Sequence, residues 1–319
     1  MKERLKRKLL FSRQNRRLVG WARRIILPGF EGFSLYEISR FFFRALFEGH
    51  LVTRASAISF KVFVAFFPAV LVLLTMIPYI PIADFQTKLL STFHDMLPGE
   101  VYTFIESTLH DLLLRKHGAL LSVSFLVGVY LASNSIDAIL EGFSGSANHT
   151  TWHTPLKQRL LSLGLLLALT VLTMIAIPLL TFSGTVIYRL NDLGFFTSFL
   201  QVAALFAAKW LVSILVVVMF VSLLYNAGDP TARRFRVFTP GTILAVLLIL
   251  GVSQALAFMF SSITDYNALY GSIGAILAVQ LWLYFNMIVL LVGYELNTSI
   301  VRARIQRSEH LQLRRKPTT

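Results

Sequence analysis

Hydrophobic residues recur along this chain in six long runs, separated by polar stretches that hold nearly all of the charge. Each run reaches the roughly 20 apolar residues that a helix needs to cross ~30 Å of hydrocarbon. The predicted spans are 55–80, 118–140, 160–188, 197–225, 238–263 and 271–300. The fold class that follows is all-α: a polytopic integral membrane protein with six transmembrane helices. Pro68 and Pro178 stand inside the first and third spans, where each removes a backbone donor and predicts a kink.

The segments between the runs have patterns of their own. Residues 34–48 predict a helix opened by a Ser34/Glu37 capping box and stopped by Gly49. Leu35, Ile38, Phe41, Phe42, Ala45 and Leu46 fall near helical spacing, so this helix is expected to lie in the membrane interface. The basic arm before it has too short an apolar run for a signal peptide. Residues 82–116 are polar and amphipathic around a Pro98-Gly99 turn, which predicts a helical excursion outside the membrane between the first two spans. Its 86–116 portion is a candidate surface for an envelope partner. The expected organisation is a basic arm and interfacial helix over 1–50, the membrane domain over 51–301, and a basic tail over 302–319.

The last run has two polar sides. At 100° per residue, Gly271, Ala275, Ala278, Asn286, Gly293 and Asn297 share one arc, and Gly274 adds a small side chain to the same segment. These small residues predict close helix packing. Glu295 falls on the opposite side with Gln280 and Tyr284, so the helix is expected to be surrounded by protein.

Composition agrees with the pattern. The chain has 319 residues, of which 55% are hydrophobic and 14% charged, and its mean hydropathy is +0.67, outside the soluble range. It has no cysteine, which excludes disulfides, thiolate metal sites and cysteine nucleophiles. The net charge of +14 would suggest nucleic acid in a soluble protein, but its distribution points elsewhere. Of 30 Lys and Arg, 24 fall in 1–54, 141–159, 226–237 and 302–319, against four in 82–117 and 189–196. That bias predicts cytoplasmic termini. The expected partners of the basic segments are anionic lipid head groups at the cytoplasmic face, with no nucleic acid.

Charges within spans are costly and mark candidate functional positions. Arg54 stands at the mouth of the first span, with Lys61 about 10 Å deeper at helical rise. Asp137 and Glu141, one turn apart, occupy the end of the second span, and Asn134 adds an amide at that level. Lys209 is near the middle of the fourth span. Asn286 and Glu295 belong to the sixth, with Glu295 at the depth of Arg54. Two readings stand: a cytoplasm-facing polar cavity that binds a charged substrate or relays protons, or structural pairs such as Arg54 with Glu295 and Lys61 with Asp137.

Other chemistry is sparse. His149 and His153 are four residues apart, but Pro155 follows and no carboxylate lies between them, so they do not form a zincin motif. No phosphate-binding loop, dinucleotide fingerprint or Ser/His/Asp grouping is present. The expectation is a non-enzymatic chain without metal or cofactor.

Several segments together resemble the YihY/BrkB family of bacterial inner-membrane proteins. They are Arg54-Ala55-Ser56-Ala57-Ile58-Ser59-Phe60 with Phe67-Pro68, then Ala132-Ser133-Asn134 with 136–148 after it. The most specific is Tyr266-Asn267-Ala268-Leu269-Tyr270-Gly271-Ser272-Ile273-Gly274-Ala275, followed by Leu281-Trp282-Leu283-Tyr284 and Gly293-Tyr294-Glu295-Leu296-Asn297. Tyr294 replaces a more frequent Ala, and Asn134-Ser135-Ile136 lacks a basic residue common there. The resemblance implies a multi-pass protein of the cytoplasmic (inner) membrane. Members have carried the misassigned label ribonuclease BN, and others are linked to serum resistance, cation/proton exchange and envelope-lipid handling.

The reading that follows is a transport or envelope-lipid-handling protein in which Arg54, Lys61 and Lys209 meet an anionic group while Asp137 and Glu295 position those bases. One alternative is a cation/proton antiporter with Asp137, Glu141 or Glu295 as exchanging acid. Another is a scaffold that recruits an envelope partner through 86–116.

Overall fold

The computed structural model describes residues 20, 24–26, 29–82, 84–96, 99–146, 152–192, 199–230, 234–262 and 272–315. Most of the basic arm, His149, Gly271 and most of the 266–275 motif lie outside the described residues. Among the described residues every long element is helical, and six helices are long and apolar enough to cross a membrane.

The predicted capping box is present. Ser34 has extended backbone angles, its N–H donates to Glu37 Oε2 at 2.9 Å, and Glu37 N–H donates back to Ser34 Oγ at 3.3 Å. Helix α1, Leu35–Glu48, starts there and ends where Gly49 N–H meets Ala45 O at 2.9 Å. A side chain at Gly49 would press on Ala45 O and on Arg54 Nη2, so the stop requires glycine. After His50, in the left-handed region at φ 48°, α2 runs from Leu51–Met76 through Pro68 and passes into a 3-10 turn, Ile77–Tyr79.

The excursion is a helix pair, α3 (Phe85–Met96) and α4 (Gly99–Leu114). Leu90, Tyr102, Leu109 and Leu113 are buried together, with Leu74 and Ile77 from the end of α2 packed on them. Gln86 ties the pair to that end by donating to Ile77 O and Ile80 O at 3.1 and 3.2 Å.

Four long helices complete the chain after α5, Gly118–Ser144: α6 (Pro155–Asp192), α7 (Phe199–Gly228), α8 (Pro240–Ser262) and α9 (Ser272–Arg315). Large apolar side chains such as Leu126, Met174, Trp210 and Phe258 point outward, as helices facing hydrocarbon require. The expected basic tail is not a separate segment. It continues α9 as far as Arg315, because 301–315 holds neither glycine nor proline and the first breaker is Pro317.

The chain divides into two compact units. Unit 1 comprises Met1–Ala55, Leu140–Val252 and Asn286–Thr319; unit 2 comprises Ser56–Ile139 and Ser253–Phe285.

In unit 1, α8 and α9 approach at two glycines. A Cβ on Gly241 would overlap Gly293 O, and one on Gly293 would overlap Tyr225 Oη and Gly241 O. Asn297 seals the approach, accepting from Gly241 N–H at 2.8 Å and donating to Thr239 Oγ1 at 2.9 Å. Beside it, Phe143 stacks on Tyr294 at 4.0 Å between centroids, with Tyr225 edge-on to both rings. Both phenols are satisfied by carbonyls, Tyr225 by Leu290 at 2.6 Å and Tyr294 by Gly228 at 2.5 Å.

The N-terminal segment is clipped to the same unit. Gly29 and Gly32 have φ of 88° and 81°, and Glu31 between them has φ 52°. Its carboxylate takes Arg236 Nη1 at 3.0 Å and a further bond from Arg304. Burial acts to raise the Glu31 pKa, but the two guanidinium bonds and charges outweigh it, so the group sits below the ordinary carboxylate value.

Two expectations change. The apolar face of α1 assigned to the membrane surface is covered by protein: Ile38 packs with Phe30, Phe33, Ile300 and Ala303, and Leu35, Phe41 and Leu296 join them. The exposed stripe of α1 is Arg40, Phe43, Arg44 and Phe47, which recur at helical spacing on the other side. The second concerns α9. Burial is densest from Asn286 onward, where Val289, Leu290, Leu291, Tyr294, Glu295 and Thr298 are buried, whereas before it Ile276, Leu277, Val279, Trp282 and Phe285 are exposed.

Candidate functional site

Unit 1 brings Arg54 and Glu295 together. Arg54 is on the first turn of α2, where its backbone N–H bonds His50 O at 3.1 Å. Its Nη2 donates to Glu295 Oε1 at 2.7 Å and its Nη1 to Gly142 O at 2.6 Å. Ser146 Oγ donates to Glu295 Oε2 at 2.5 Å, and Thr298 lies at the edge of the same group, 3.3 Å from Ser146.

The side chains of this pair are 12% and 0% exposed. The guanidinium fits between two glycines, since a Cβ on Gly145 would meet Arg54 Cδ at 2.8 Å and one on Gly49 would meet Nη2 at 2.9 Å. Glu295 therefore has a donor at each oxygen, and Arg54 has an anion and a carbonyl on its terminal nitrogens, while its buried Nε has no partner among the described residues. In a low-dielectric interior an arrangement like this holds helices in register, and removing one partner costs about 3–5 kcal/mol.

Unit 2 holds a groove of about 360 Å³ lined by Ser56, Ser59, Leu277, Gln280, Leu281 and Tyr284. Its geometry follows from helical spacing. Leu277, Gln280, Leu281 and Tyr284 are at i, i+3, i+4 and i+7 on α9, so they form one stripe, and Ser56 and Ser59 are one turn apart on α2. Ser59 Oγ donates to Ser56 O at 3.0 Å, and Gln280 Nε2 approaches Ser59 Oγ at 3.4 Å. Ser59 is almost fully buried. Gln280 Oε1 is buried and has no hydrogen-bond partner among the described residues.

The remaining candidates are distributed between the units. Lys61 on α2 and Asn134 and Asp137 on α5 belong to unit 2 and are half-buried. Ser135, next to Asn134, donates to Lys61 O at 2.9 Å. Glu141, exposed, Lys209, half-buried, and Asn286, buried, belong to unit 1. Gly274 is buried and Ala278 half-buried. His153 Nε2 lies 3.1 Å from Ala227 O.

None of the expected site residues lines the unit 2 groove. Ser56 and Ser59 stand in the 54–60 motif and Gln280 and Tyr284 on the Glu295 side of the last run, so the signal was present. What the sequence lacked was the pairing of those two stripes.

The comparisons with known proteins agree with the fold. The family described as virulence factor BrkB matches residues 42–318. The ribonuclease-like protein YfkH of Bacillus subtilis (strain 168) is 29% identical over 254 residues, covering 79% of this chain and 90% of that protein. A UPF0761 membrane protein of Xanthomonas campestris pv. campestris (strain B100) is 23% identical over 281 residues, covering 85% of this chain and 62% of its relative. In Pseudoalteromonas translucida (strain TAC 125) a UPF0761 membrane protein is 27% identical over 97 residues, or 30% of this chain and 32% of its own length. No solved structure matches. With the family match running from the middle of α1 to beyond α9, over six membrane-length helices, the chain is a membrane protein that belongs to the BrkB family.

Proposed function

We propose that this protein handles an amphiphilic lipid of the bacterial inner membrane, as a transport or envelope-lipid protein with both termini cytoplasmic. The observation that carries the reading is the unit 2 groove. It is formed by two membrane-length helices, and leucines share it with hydroxyl, amide and phenol groups. A bilayer amphiphile has the same two characters. The charge bias of the polar segments supports the orientation.

The groove shifts the reading away from the expected anionic site. Arg54 is committed to Glu295 and Gly142, so its charge is already compensated. Glu295 is likewise occupied, bonded to Arg54 and Ser146. We read the chain as non-enzymatic. The ribonuclease-like name is that of the relative and is not carried to this chain.

The test is lipid movement in proteoliposomes, followed in parallel with a fluorescent diacylglycerol and a fluorescent phospholipid. Ser56→Phe, which places a ring in the groove from an exposed position on α2, should slow protein-dependent movement by roughly tenfold or more, the factor for about 1.4 kcal/mol of lost occupancy. An unchanged rate in a folded, inserted variant would remove the groove from the function.

A further inference from the structure

The lining of the unit 2 groove carries no formal charge. Its polar groups are Ser56, Ser59, Gln280 and Tyr284, and Leu277 and Leu281 complete it. Their hydrogen-bond directions can be worked out. Ser59 gives its one hydroxyl proton to Ser56 O at 3.0 Å, so toward Gln280 it can only accept. The end of the Gln280 amide facing it, at 3.4 Å, is therefore the NH₂ group; amide orientation is assigned from the network in this way.

Oε1 is then the end left over, buried and without a partner among the described residues. A buried amide oxygen without a donor is costly. The backbone N–H groups of α9 around it are committed to the helix, Leu277 and Leu281 cannot donate, and neither Ser56 nor Tyr284 of the lining donates to it. The terminal amide torsion is soft, and rotation about it is the route by which Oε1 would meet a donor in the groove.

We propose that the groove binds a neutral lipid alcohol, whose hydroxyl donates to Gln280 Oε1 while its hydrocarbon lies along Leu277 and Leu281. This rests on the amphiphile reading above and narrows it. A phosphate or carboxylate headgroup would bring acceptor oxygens to an acceptor, with no cation in the lining to compensate them. An ammonium headgroup can donate, but it would lose its hydration beside no carboxylate, a large penalty. The hydroxyl is the donor that enters such a lining without carrying charge.

The test uses the full chain in phosphatidylcholine nanodiscs and three probes: dioleoylglycerol, its O-acetyl ester and dioleoyl phosphatidic acid, with retained lipid read by native mass spectrometry. The wild type should retain the alcohol roughly tenfold better than either other lipid, about the factor one hydrogen bond supplies. Gln280→Leu should erase that preference while still retaining the alcohol and the ester. Gln280→Met, a second replacement of similar length without the acceptor, should lose the preference as well.

Equal retention of alcohol and ester by the wild type, or preference for phosphatidic acid, overturns the lipid-alcohol assignment and leaves the amphiphile reading standing. Retention of none of the three overturns both. Should Gln280→Leu fail to fold, Gln280→Met decides alone, and unchanged selectivity in it overturns the assignment.

Discussion

The two polar regions of this membrane protein use different side chains to opposite ends. Around Arg54 and Glu295 in unit 1, full charges are buried, and each carboxylate oxygen and both terminal guanidinium nitrogens have a partner, while Arg54 Nε has none among the described residues. Around Gln280 in unit 2 the groups are neutral, they face a groove, and one buried amide oxygen is left without a donor. Charge inside a membrane is conventionally read as function. On the proposed reading the Arg54–Glu295 pair makes structure, and the uncharged groups of the groove are the ones that bind.

That contrast can be broken most severely at the ion pair. Glu295→Ala should strand Arg54 in a dry interior and destabilise the protein by about 3–5 kcal/mol, whereas Arg54→Met with Glu295→Leu together should cost much less. Steric-trapping or detergent-denaturation measurements would show it. A double variant as unstable as the single one would mean that the pair does more than hold helices.

Next in size is the glycine crossing. Gly241→Ala puts a methyl into the Gly293 carbonyl, which must move, and overpacking of this kind costs about 1–3 kcal/mol. Stability close to wild type would show that α8 and α9 can separate at little cost.

These two effects also mark what was legible beforehand. Helix number and class followed from run length, and the α1 start from Ser34 and Glu37. Gly293 and Asn297 were visible as a small, amide-bearing face. Arg54 and Glu295 were visible at one depth, but Ser146 and Gly142, which complete their bonding, lie nearly 90 residues from Arg54 and about 150 from Glu295 along the chain. An amphipathic stripe does not say what covers it. For that reason α1 was expected to turn its apolar face to lipid, and instead it turns that face to α9.

A smaller effect concerns that helix. If the Arg40, Phe43, Arg44 and Phe47 stripe meets the membrane interface, a spin label at Phe47→Cys, clean in a chain without cysteine, should be shielded from aqueous nickel chelate and accessible to oxygen. The reverse pattern would place α1 in water.

The smallest effect is at Glu31. Its folded pKa lies below the ordinary value, so its contribution is present above that value and is lost as pH falls through the depressed one. Both arginines are half or more exposed, so solvent screening limits the effect to about 0–1 kcal/mol. Comparing Glu31→Gln with wild type across that acidic window should show the two stabilities converging at the low end; a gap that widens there would contradict the ion-pair account.

The most direct measurement of the central contrast uses the absence of native cysteine. Ser56→Cys, on the groove, and Ser146→Cys, against Glu295, are near-isosteric reporters for the two regions. With a lipid-soluble maleimide in native membranes, Ser56→Cys should label rapidly and be protected by added dioleoylglycerol, while Ser146→Cys should stay unlabelled until the protein is unfolded. Rapid labelling at Ser146→Cys with protection at Ser56→Cys would contradict the account, because the charged cluster would then be the open site and the groove the closed one.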